Sequence, residues 1–289
     1  MTAMLLEERA DGVLRLTLNR PQARNALSVA LMTTLLEALG HAAGDVETRV
    51  VVIAGAGLAF CAGHDLRELR EDPRRETYER IFALCSELML TIVRLPKPVV
   101  AEVHGVATAA GCQLVATCDL AVAAEEARFA TPGVNIGLFC STPMVALSRA
   151  VGRKAAMEML LTGELIDAAA ARSRGLVNRV VPRDELRAAV DALVRQIAGK
   201  SAFTVKIGKE AFYRQAELDL ACAYRFAAEV MTTNMLPRDA EEGIDAFLEQ
   251  NWAVLRDPRD GRHRCLAFAY PSCCTPAAVR KELRLTLTL

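Results

Sequence analysis

The chain has 289 residues, enough for one large domain or two small ones with a substantial buried core. Lysine and arginine together number 35, as do aspartate and glutamate, so no net charge attracts the protein to nucleic acid or to an anionic membrane. The longest apolar runs are interrupted by Glu102, His104 and Asp119, so no stretch has the length of a membrane span. Aliphatic residues dominate and aromatic residues make up 5%, which favours a helix-rich α/β protein. We therefore expect neither a nucleic-acid partner nor a membrane span.

The ends of the chain and its cysteines bear on its cellular location. The N-terminal segment MTAMLLEERADG is short and acidic, unlike a signal or transit peptide. The nine cysteines show no framework spacing, no CxxC and no Cys/His pairing of the zinc type. These features predict reduced thiols, no metal site and a cytoplasmic protein.

The first two-thirds of the chain alternate apolar strands with helical patterns. Ser28 is a predicted N-cap for the first helix, and a long helical pattern from Arg75 to Leu95 is ended by Pro96 and Pro98. The predicted strands are VLRLTL (13–18), RVVVIAG (49–55), PVVAEVHG (98–105) and LVNRVV (176–181). The run at 49–55 is apolar throughout, as in a strand buried on both faces. Repetition of strand, turn and helix predicts an α/β fold with crossover connections.

The C-terminal third has a different character. From Asp184 to about Trp252 the pattern is almost entirely helical, and after residue 256 it has no clean period. We expect a core at 1–198, a helical region at 199–255, and a tail at 256–289 that carries no function.

Two predicted loops have features of anion-binding turns. In AGAGLAFCAGHDLREL (54–69), Asp65 and Glu68 form a capping-box pattern, so a helix is expected to begin at Leu66. The N–H groups before that start lie at the positive end of the helix dipole.

The second loop is Ala109-Ala110-Gly111, before a helix that runs through Gln113. Small side chains leave its backbone open to close approach. Two such loops facing each other would form an oxyanion hole with two N–H donors. The alternative is that both are ordinary tight turns between a strand and a helix.

Four segments resemble the enoyl-CoA hydratase/isomerase (crotonase) superfamily, in order and from about Val13 to about Trp252. They are LTLNRPQARNALS, AFCAGHDLREL, KPVVAEVHGVATAAGCQLVATCDLAVAAEEARFATPGVNIGL and AVGRKAAMEMLLTGELIDAAAARSRGLVNRVVP. FATPGVNIGLFCSTP looks most like the enoyl-CoA hydratase domain-containing protein 3 group. The resemblance implies a crotonase-like spiral of ββα units, a helical C-terminal trimerisation region, and a homotrimer or dimer of trimers.

The resemblance also implies a substrate and a site. The substrate is an acyl-CoA thioester, so coenzyme A arrives as part of it and no separate cofactor is expected. The implied oxyanion donors are the backbone N–H groups of His64 and Ala110. Residues expected near the substrate are Arg24 and Arg67 with the backbone of Ala26 for the CoA phosphates, Asp65 and Leu66 at the helix start, and Cys140 and Ser141 towards the acyl end.

The hydratases of this superfamily use two glutamates, and this chain has neither. The corresponding positions are Gln113 and Gly133, and neither an amide nor a glycine can serve as a general base. We therefore expect acyl-CoA binding and enolate stabilisation with little efficient hydration. The alternative is a non-catalytic acyl-CoA binding or regulatory protein. A Clp-type serine protease shares the architecture, but its serine and histidine do not occur around Ala109 to Gln113.

Overall fold

The computed structural model describes residues 3–249 and the backbone of residues 253–256 and 263–266. Within these residues there are twelve strands, named β1 (Leu5–Ala10), β2 (Val13–Leu18), β3 (Val50–Gly55), β4 (Ala59–Cys61), β5 (Val99–Val103), β6 (Val106–Thr108), β7 (Leu120–Ala124), β8 (Arg128–Ala130), β9 (Ile166–Asp167), β10 (Arg179–Val181), β11 (Ala253–Arg256) and β12 (His263–Leu266).

The same residues form eleven α-helices, named α1 (Val29–Gly44), α2 (Leu66–Glu71), α3 (Arg75–Arg94), α4 (Ala110–Thr117), α5 (Ser141–Ala150), α6 (Arg153–Thr162), α7 (Ala168–Ser173), α8 (Leu186–Ala198), α9 (Ala202–Gln215), α10 (Leu220–Met235) and α11 (Arg238–Leu248). Short 3₁₀ turns occupy Pro21–Ala23, Pro132–Ile136 and Arg183–Glu185. The predicted helix starts are confirmed, since Ser28 caps α1 and α2 begins at Leu66.

Successive strand pairs divide between two sheets. The six-stranded sheet has the order β1-β2-β3-β5-β7-β10, and the four-stranded sheet has the order β4-β6-β8-β9. The first strand of each pair (β3, β5, β7) joins the large sheet and the second (β4, β6, β8) joins the small one, with helices after each pair. Pairing is parallel except at β1–β2 and β8–β9 in these two sheets. This arrangement confirms the predicted α/β spiral of ββα units.

The first hairpin is an element that the sequence analysis missed. β1 pairs antiparallel with β2 across the two-residue turn Asp11-Gly12, whose φ angles are +50° and +80°. A two-residue turn with both φ angles positive suits the right-handed twist of paired strands, and Asp-Gly is its typical sequence. The dipeptide was therefore the available signal for β1.

The apolar run of β3 is buried on both faces, as predicted. Val51 and Ile53 belong to the main core, while Val50 and Val52 pack in a second cluster with Val190 and other residues of α8. Because side chains alternate along a strand, a continuous apolar run suits a strand covered on both sides.

Helix α9 is attached to the spiral by a buried polar network. Lys209 Nζ contacts Asp119 Oδ2 at 2.7 Å and donates to the carbonyls of Ile92 and Lys97, each at 2.9 Å. Tyr213 donates to Asp119 Oδ1 at 2.8 Å. Burial lowers the pKa of Lys209, and the Asp119 carboxylate opposes that shift. A buried charge is tolerated only when it is paired and hydrogen-bonded in this way.

Helices α9 to α11 leave many large apolar side chains exposed in the single chain. Ala223 and Ala246 are the buried apolar residues on these helices, and the large exposed ones are Phe203, Phe212, Leu220, Tyr224, Met231, Met235, Ile244, Phe247 and Leu248. The sequence analysis predicted a helical region to residue 255, but Ala253–Arg256 is a strand paired with β12. Apart from β12, the predicted tail lies outside the described residues. None of the helices described combines the length and hydropathy that a bilayer-spanning helix requires.

Candidate functional site

The two predicted anion-binding loops lie against each other. We call residues 62–65 the Gly63 loop and residues 109–113 the Ala109 turn. They follow the paired strands β4 and β6, and Thr108 Oγ1 donates to the carbonyl of Ala62 at 3.1 Å. Gly63 has φ +97°, and a Cβ placed on it would lie 2.9 Å from Ala109 Cβ and 3.2 Å from the Ala110 nitrogen. Glycine at position 63 therefore permits both the turn and the close contact.

The backbone N–H groups of His64 and Ala110 have no acceptor among the described residues. His64 forms a bridge with Leu27, but this bridge uses the Gly63 carbonyl and the Asp65 N–H, at 2.7 and 3.3 Å. Ala110 is the first residue of α4. The N–H groups of a first helical turn lack partners within the helix and lie at the positive end of the helix dipole. The two donors are thus free for an external acceptor next to the Gly63 contact.

The Ala109 turn is strained and held in place by its neighbours. Ala109 has φ +50° and ψ −119°, a conformation that residues with a Cβ rarely adopt. Its N–H donates to Ala130 at 2.9 Å, and its carbonyl accepts from Gln113 at 3.0 Å. A Cβ on Gly111 would lie 2.1 Å from the Cys61 carbonyl oxygen. Strain of this kind persists when the surroundings determine the conformation, and it is frequent at functional sites.

Asp65 is a structural anchor of the Gly63 loop. Its carboxylate accepts from the Arg67 N–H at 3.2 Å and pairs with Arg20 at 2.9 Å. Burial raises the pKa of Asp65, but Arg20 and the N–H groups at the start of α2 outweigh burial and hold the pKa below its usual value. The predicted reciprocal capping box is not formed, because the Glu68 carboxylate accepts instead from the N–H of Val29 at 2.9 Å. Glu68 thereby links α2 to α1.

Asn25 is a buried residue of the site that the sequence analysis missed. Its side-chain amide donates to the carbonyls of Ala56, Ala59 and Phe60 at 2.8, 2.8 and 3.1 Å, and its Oδ1 accepts from the Arg20 N–H at 2.9 Å. These contacts hold the segment before α1 against β4. The three carbonyl partners lie more than thirty positions away along the chain, and no local pattern signals them.

Gln113, at which the resemblance implies the first hydratase glutamate, is buried in α4 beneath α3. It is 4% exposed, and its Oε1 lies 4.0 Å from the Cys85 thiol, the potential donor. Burial raises the pKa of Cys85 to about 12, so the thiol is protonated at neutral pH.

Gly133, at which the resemblance implies the second hydratase glutamate, lies in a closed loop that we call the Gly133 loop (residues 131–141). Its carbonyl accepts from the Leu138 N–H at 2.9 Å. A Cβ on Gly133 would lie 2.5 Å from the Leu138 carbonyl oxygen and 2.9 Å from Cys140 Sγ. Burial raises the pKa of the Cys140 thiol, whereas Ser141 is exposed at the start of α5. The space beside Gly133 is therefore filled by the loop itself.

The residues expected near the CoA phosphates surround the Gly63 loop. Arg24, Leu66 and Arg67 are exposed and Ala26 is buried. The Ala62 N–H donates to the Arg24 carbonyl at 3.0 Å, and the Ala26 N–H is used within a turn, donating to Ala23 at 3.0 Å. The exposed side chains of Arg24 and Arg67 are thus available at this edge, while the Ala26 N–H is already occupied.

Other features of the molecule lie apart from these loops. One cavity of about 100 Å³ is lined mainly by residues of β1, β2 and α8, including Arg15, Arg187 and Asp191, and by no residue of the two loops. In the part of the chain that the structure describes, no three His, Cys, Asp or Glu side chains are grouped to hold a metal ion. The six described cysteines are free thiols.

The fold and sequence have close relatives among known proteins. A crystal structure of an enoyl-CoA hydratase from Mycobacterium smegmatis superposes with a TM-score of 0.85 at 56% identity, covering 86% of this chain and 98% of that one. The human enoyl-CoA hydratase domain-containing protein 3 has the same TM-score at 45% identity, covering 88% and 100%. The mitochondrial protein of that name from Xenopus laevis is 45% identical over 253 residues, which are 88% of this chain and 86% of the relative.

These relatives correct the expected cellular location. The proteins of this group from Xenopus laevis, rat, mouse, human and zebrafish are all named mitochondrial. The prediction of a cytoplasmic protein is therefore wrong by this comparison. It rested on an acidic N-terminal segment and on unpaired cysteines, and neither property specifies a compartment.

The family model for enoyl-CoA hydratase/isomerase matches residues 8–258, which include both loops and all eleven described helices. Together with the relatives, this match confirms the resemblance seen in the sequence, including the likeness to the domain-containing protein 3 group. The chain belongs to the enoyl-CoA hydratase/isomerase family.

Proposed function

We propose that the protein binds an acyl-CoA thioester and stabilises its enolate between the backbone N–H groups of His64 and Ala110. The observation that supports this proposal is the contact of Gly63 with the Ala109 turn, together with the lack of an acceptor for the His64 and Ala110 N–H groups among the described residues. Each fixed donor at the position where negative charge develops stabilises the transition state by roughly 3 kcal/mol. The strained Ala109 backbone is consistent with a turn shaped for this purpose.

Efficient hydration is not part of the proposal. Adding water across a double bond needs groups that give and take protons, and Gln113 and Gly133 provide none. Double-bond isomerisation, thioester hydrolysis and decarboxylation rely mainly on the oxyanion hole. No separate cofactor is proposed, because coenzyme A is part of the substrate.

The CoA portion is proposed to lie along the edge formed by the Gly63 loop and α2. Arg24 and Arg67 are exposed there, and guanidinium groups suit phosphate oxygens. Cys140 and Ser141 are proposed to lie towards the acyl end, with Cys140 as a protonated, packed thiol.

The working assembly is proposed to be a homotrimer or a dimer of trimers formed through the C-terminal helices. The exposed apolar side chains of α9 to α11 support this, because monomeric proteins rarely leave so much apolar surface open. Size-exclusion chromatography with light scattering would test it, and a monomer at micromolar concentration would contradict it.

A second candidate is a non-catalytic acyl-CoA binding or regulatory protein. The absence of both glutamates favours it, since a binding protein needs the pocket but no acid. A panel of CoA thioesters separates the two candidates, because turnover of any member requires an enzyme.

The proposal can be tested with Gly63→Ala and calorimetric titration of crotonyl-CoA. The new methyl group would lie 3.2 Å from the Ala110 nitrogen and should weaken binding by at least about tenfold, or roughly 1.4 kcal/mol. Gly175→Ala is the matched control. It has a similar positive φ of +86°, but its new methyl group would meet only Ala150 O at 3.4 Å, outside the site. Equal affinity in the two variants would show that the thioester binds elsewhere.

A further inference from the structure

A small cavity lies between the β1–β2 hairpin and α8, on the side of the large sheet that α8 covers. We call it the α8 cavity. Its volume is about 100 Å³, and it is partly open to solvent. The charged residues that line it are Arg15, Arg187, Arg195, Glu8, Asp11 and Asp191. The lining thus carries three charges of each sign.

At one level of the hairpin these charges are paired with each other. Glu8 and Arg15 are opposite each other in the β1–β2 register. Arg187 Nη2 contacts Glu8 Oε2 at 3.0 Å, and Arg15 Nη2 contacts Asp191 Oδ1 at 2.6 Å. Arg15 also pairs with Glu102, and its side chain is 3% exposed. This end of the cavity therefore has a fixed, buried wall whose charges are already satisfied.

The next level of the hairpin has no such pairs. Ala10 is opposite Val13, and because both side chains are short, the space beside them stays open as the cavity. Arg195 lines it from α8, one turn beyond Asp191, and Asp11 lines it from the turn after Ala10. Among the described residues, the Asp11 carboxylate and the Arg195 guanidinium have no hydrogen-bond or ion-pair partner. The cavity thus has one free anion and one free cation on different walls.

The lining defines the chemical class of a ligand. A ligand with a single charge would leave either Asp11 or Arg195 without a partner, whereas a zwitterion satisfies both. A guanidinium binds a carboxylate through two parallel hydrogen bonds, and a carboxylate accepts from an ammonium group. Val13 and Val194 supply apolar lining for a short aliphatic group. A cavity of about 150 Å³ holds benzene, so the α8 cavity suits a ligand of similar or smaller size.

We propose that the α8 cavity binds a small zwitterion of the α-amino acid class, with the carboxylate on Arg195 and the ammonium group on Asp11. A short aliphatic side chain packs against Val13 and Val194. No residue of the Gly63 loop or the Ala109 turn lines this cavity, so the site is separate from the proposed acyl-CoA site.

The test is calorimetric titration of the full chain with L-alanine and with two analogues that each keep one charge. Propionate lacks the ammonium group, and L-alaninamide lacks the carboxylate. L-Alanine should bind with a dissociation constant of about 1 mM or less, within the efficiency that ligands of this size reach. Each analogue should bind at least about tenfold more weakly, because it leaves one charged group of the cavity without its partner.

Two variants each remove one charge from the cavity. Arg195→Gln and Asp11→Asn should each weaken L-alanine binding by about ten- to a hundredfold. Asparagine at position 11 keeps the turn, because it tolerates the positive φ of +50°. Arg153→Gln is the matched control, since Arg153 is exposed at the start of α6 and does not line the cavity. Its affinity should equal that of the wild type, and circular dichroism checks that each variant is folded.

Three results overturn the proposal. They are no binding of L-alanine by the wild-type protein, equal affinity for L-alanine and either analogue, and unchanged affinity in Arg195→Gln or Asp11→Asn. None of these measurements involves an acyl-CoA, so the proposed function is tested separately.

Discussion

The Ala109 turn and the Gly133 loop begin at paired positions in the small sheet, but the first leaves a backbone group available and the second fills its own space. Thr108 pairs with Ala130 in the small sheet, so the two segments leave neighbouring strands at the same level. The Ala109 turn is crowded on the side of Cys61 and Gly63, yet it leaves the Ala110 N–H without an acceptor. The Gly133 loop is closed on itself by the Leu138 N–H and fills the space beside Gly133.

The difference teaches that a backbone donor and a side-chain group place different demands on the surrounding structure. Backbone donors need only a fixed main chain, and the packing of the Ala109 turn provides it. A side-chain acid needs space, and that space is absent at Gly133. Gln113 and Gly133, the two positions at which the resemblance implies a glutamate, are therefore not equivalent, although the sequence alone presents them alike.

The largest effect is expected from Gly111→Ala, which tests how tightly the Ala109 turn is fixed. The added Cβ would lie 2.1 Å from the Cys61 carbonyl oxygen, so backbone must move, and we expect a loss of about 3 kcal/mol in the free energy of unfolding. Urea denaturation followed by circular dichroism measures it. The control Gly40→Ala in α1 has nothing within 4 Å and should gain up to about 1 kcal/mol. Similar stabilities for the two variants would mean that the turn is loosely packed.

Gly133→Glu should be the next most disruptive change. Its Cβ would lie 2.5 Å from the Leu138 carbonyl oxygen, and we expect a loss of about 1–3 kcal/mol from overpacking. Gly133→Ala should lose a similar amount, because the clash arises at the Cβ. If Gly133→Glu were as stable as the wild type, the loop would have an open form with room for the acid, and the contrast between the two segments would disappear.

Gln113→Glu should change stability little and hydration modestly. The new side chain is nearly the same size, and burial should raise the pKa of its carboxyl, so any gain should increase with pH. Loss of crotonyl-CoA absorbance measures hydration, which we expect to be weak in the wild-type protein and somewhat faster in the variant. The Gln113→Glu, Gly133→Glu double variant should gain more only where it remains folded. Wild-type turnover already equal to that of an efficient hydratase would refute our account of Gln113.

Asp65→Asn tests the anchor of the Gly63 loop separately from both segments. We expect a loss of about 1 kcal/mol at pH 7, because the Arg20 pair is lost while an N-cap amide remains. The pKa of Asp65 is lowered in the folded state, so its contribution is fully present above the unfolded pKa of 3.8. It is lost as the pH falls through the lower, folded value. A difference between variant and wild type that persisted unchanged at acid pH would exclude the carboxylate as its source.

Local patterns in the sequence determined several elements of the spiral, although β4 and β6 to β9 were not predicted. These signals depend only on neighbouring residues, so they could be recognised without the fold. They are Ser28 before an apolar helix, the β-branched run of β3, and Pro96 and Pro98 after α3. The Asp11-Gly12 turn is an equally local signal, but the sequence analysis did not use it to predict β1. The loops at Gly63 and Ala109 were also located correctly, because small residues between a strand and a helix start are a local signal.

Only the tertiary structure decided how these segments meet. Three sets of contacts illustrate this. Gly63 contacts Ala110, Asn25 bonds to β4 and Cys85 of α3 contacts Gln113, and each of these joins residues twenty-eight or more positions apart. Helix α3 also covers His64, which lies on a different element. Such contacts depend on chain topology, which brings paired strands to the same level, and no spacing along the chain encodes them. The lack of room at Gly133 has the same origin, since it depends on how the loop returns through Leu138 and Cys140. The resemblance implied that an acid is missing at Gly133, and the packing shows that the loop fills the space beside this residue.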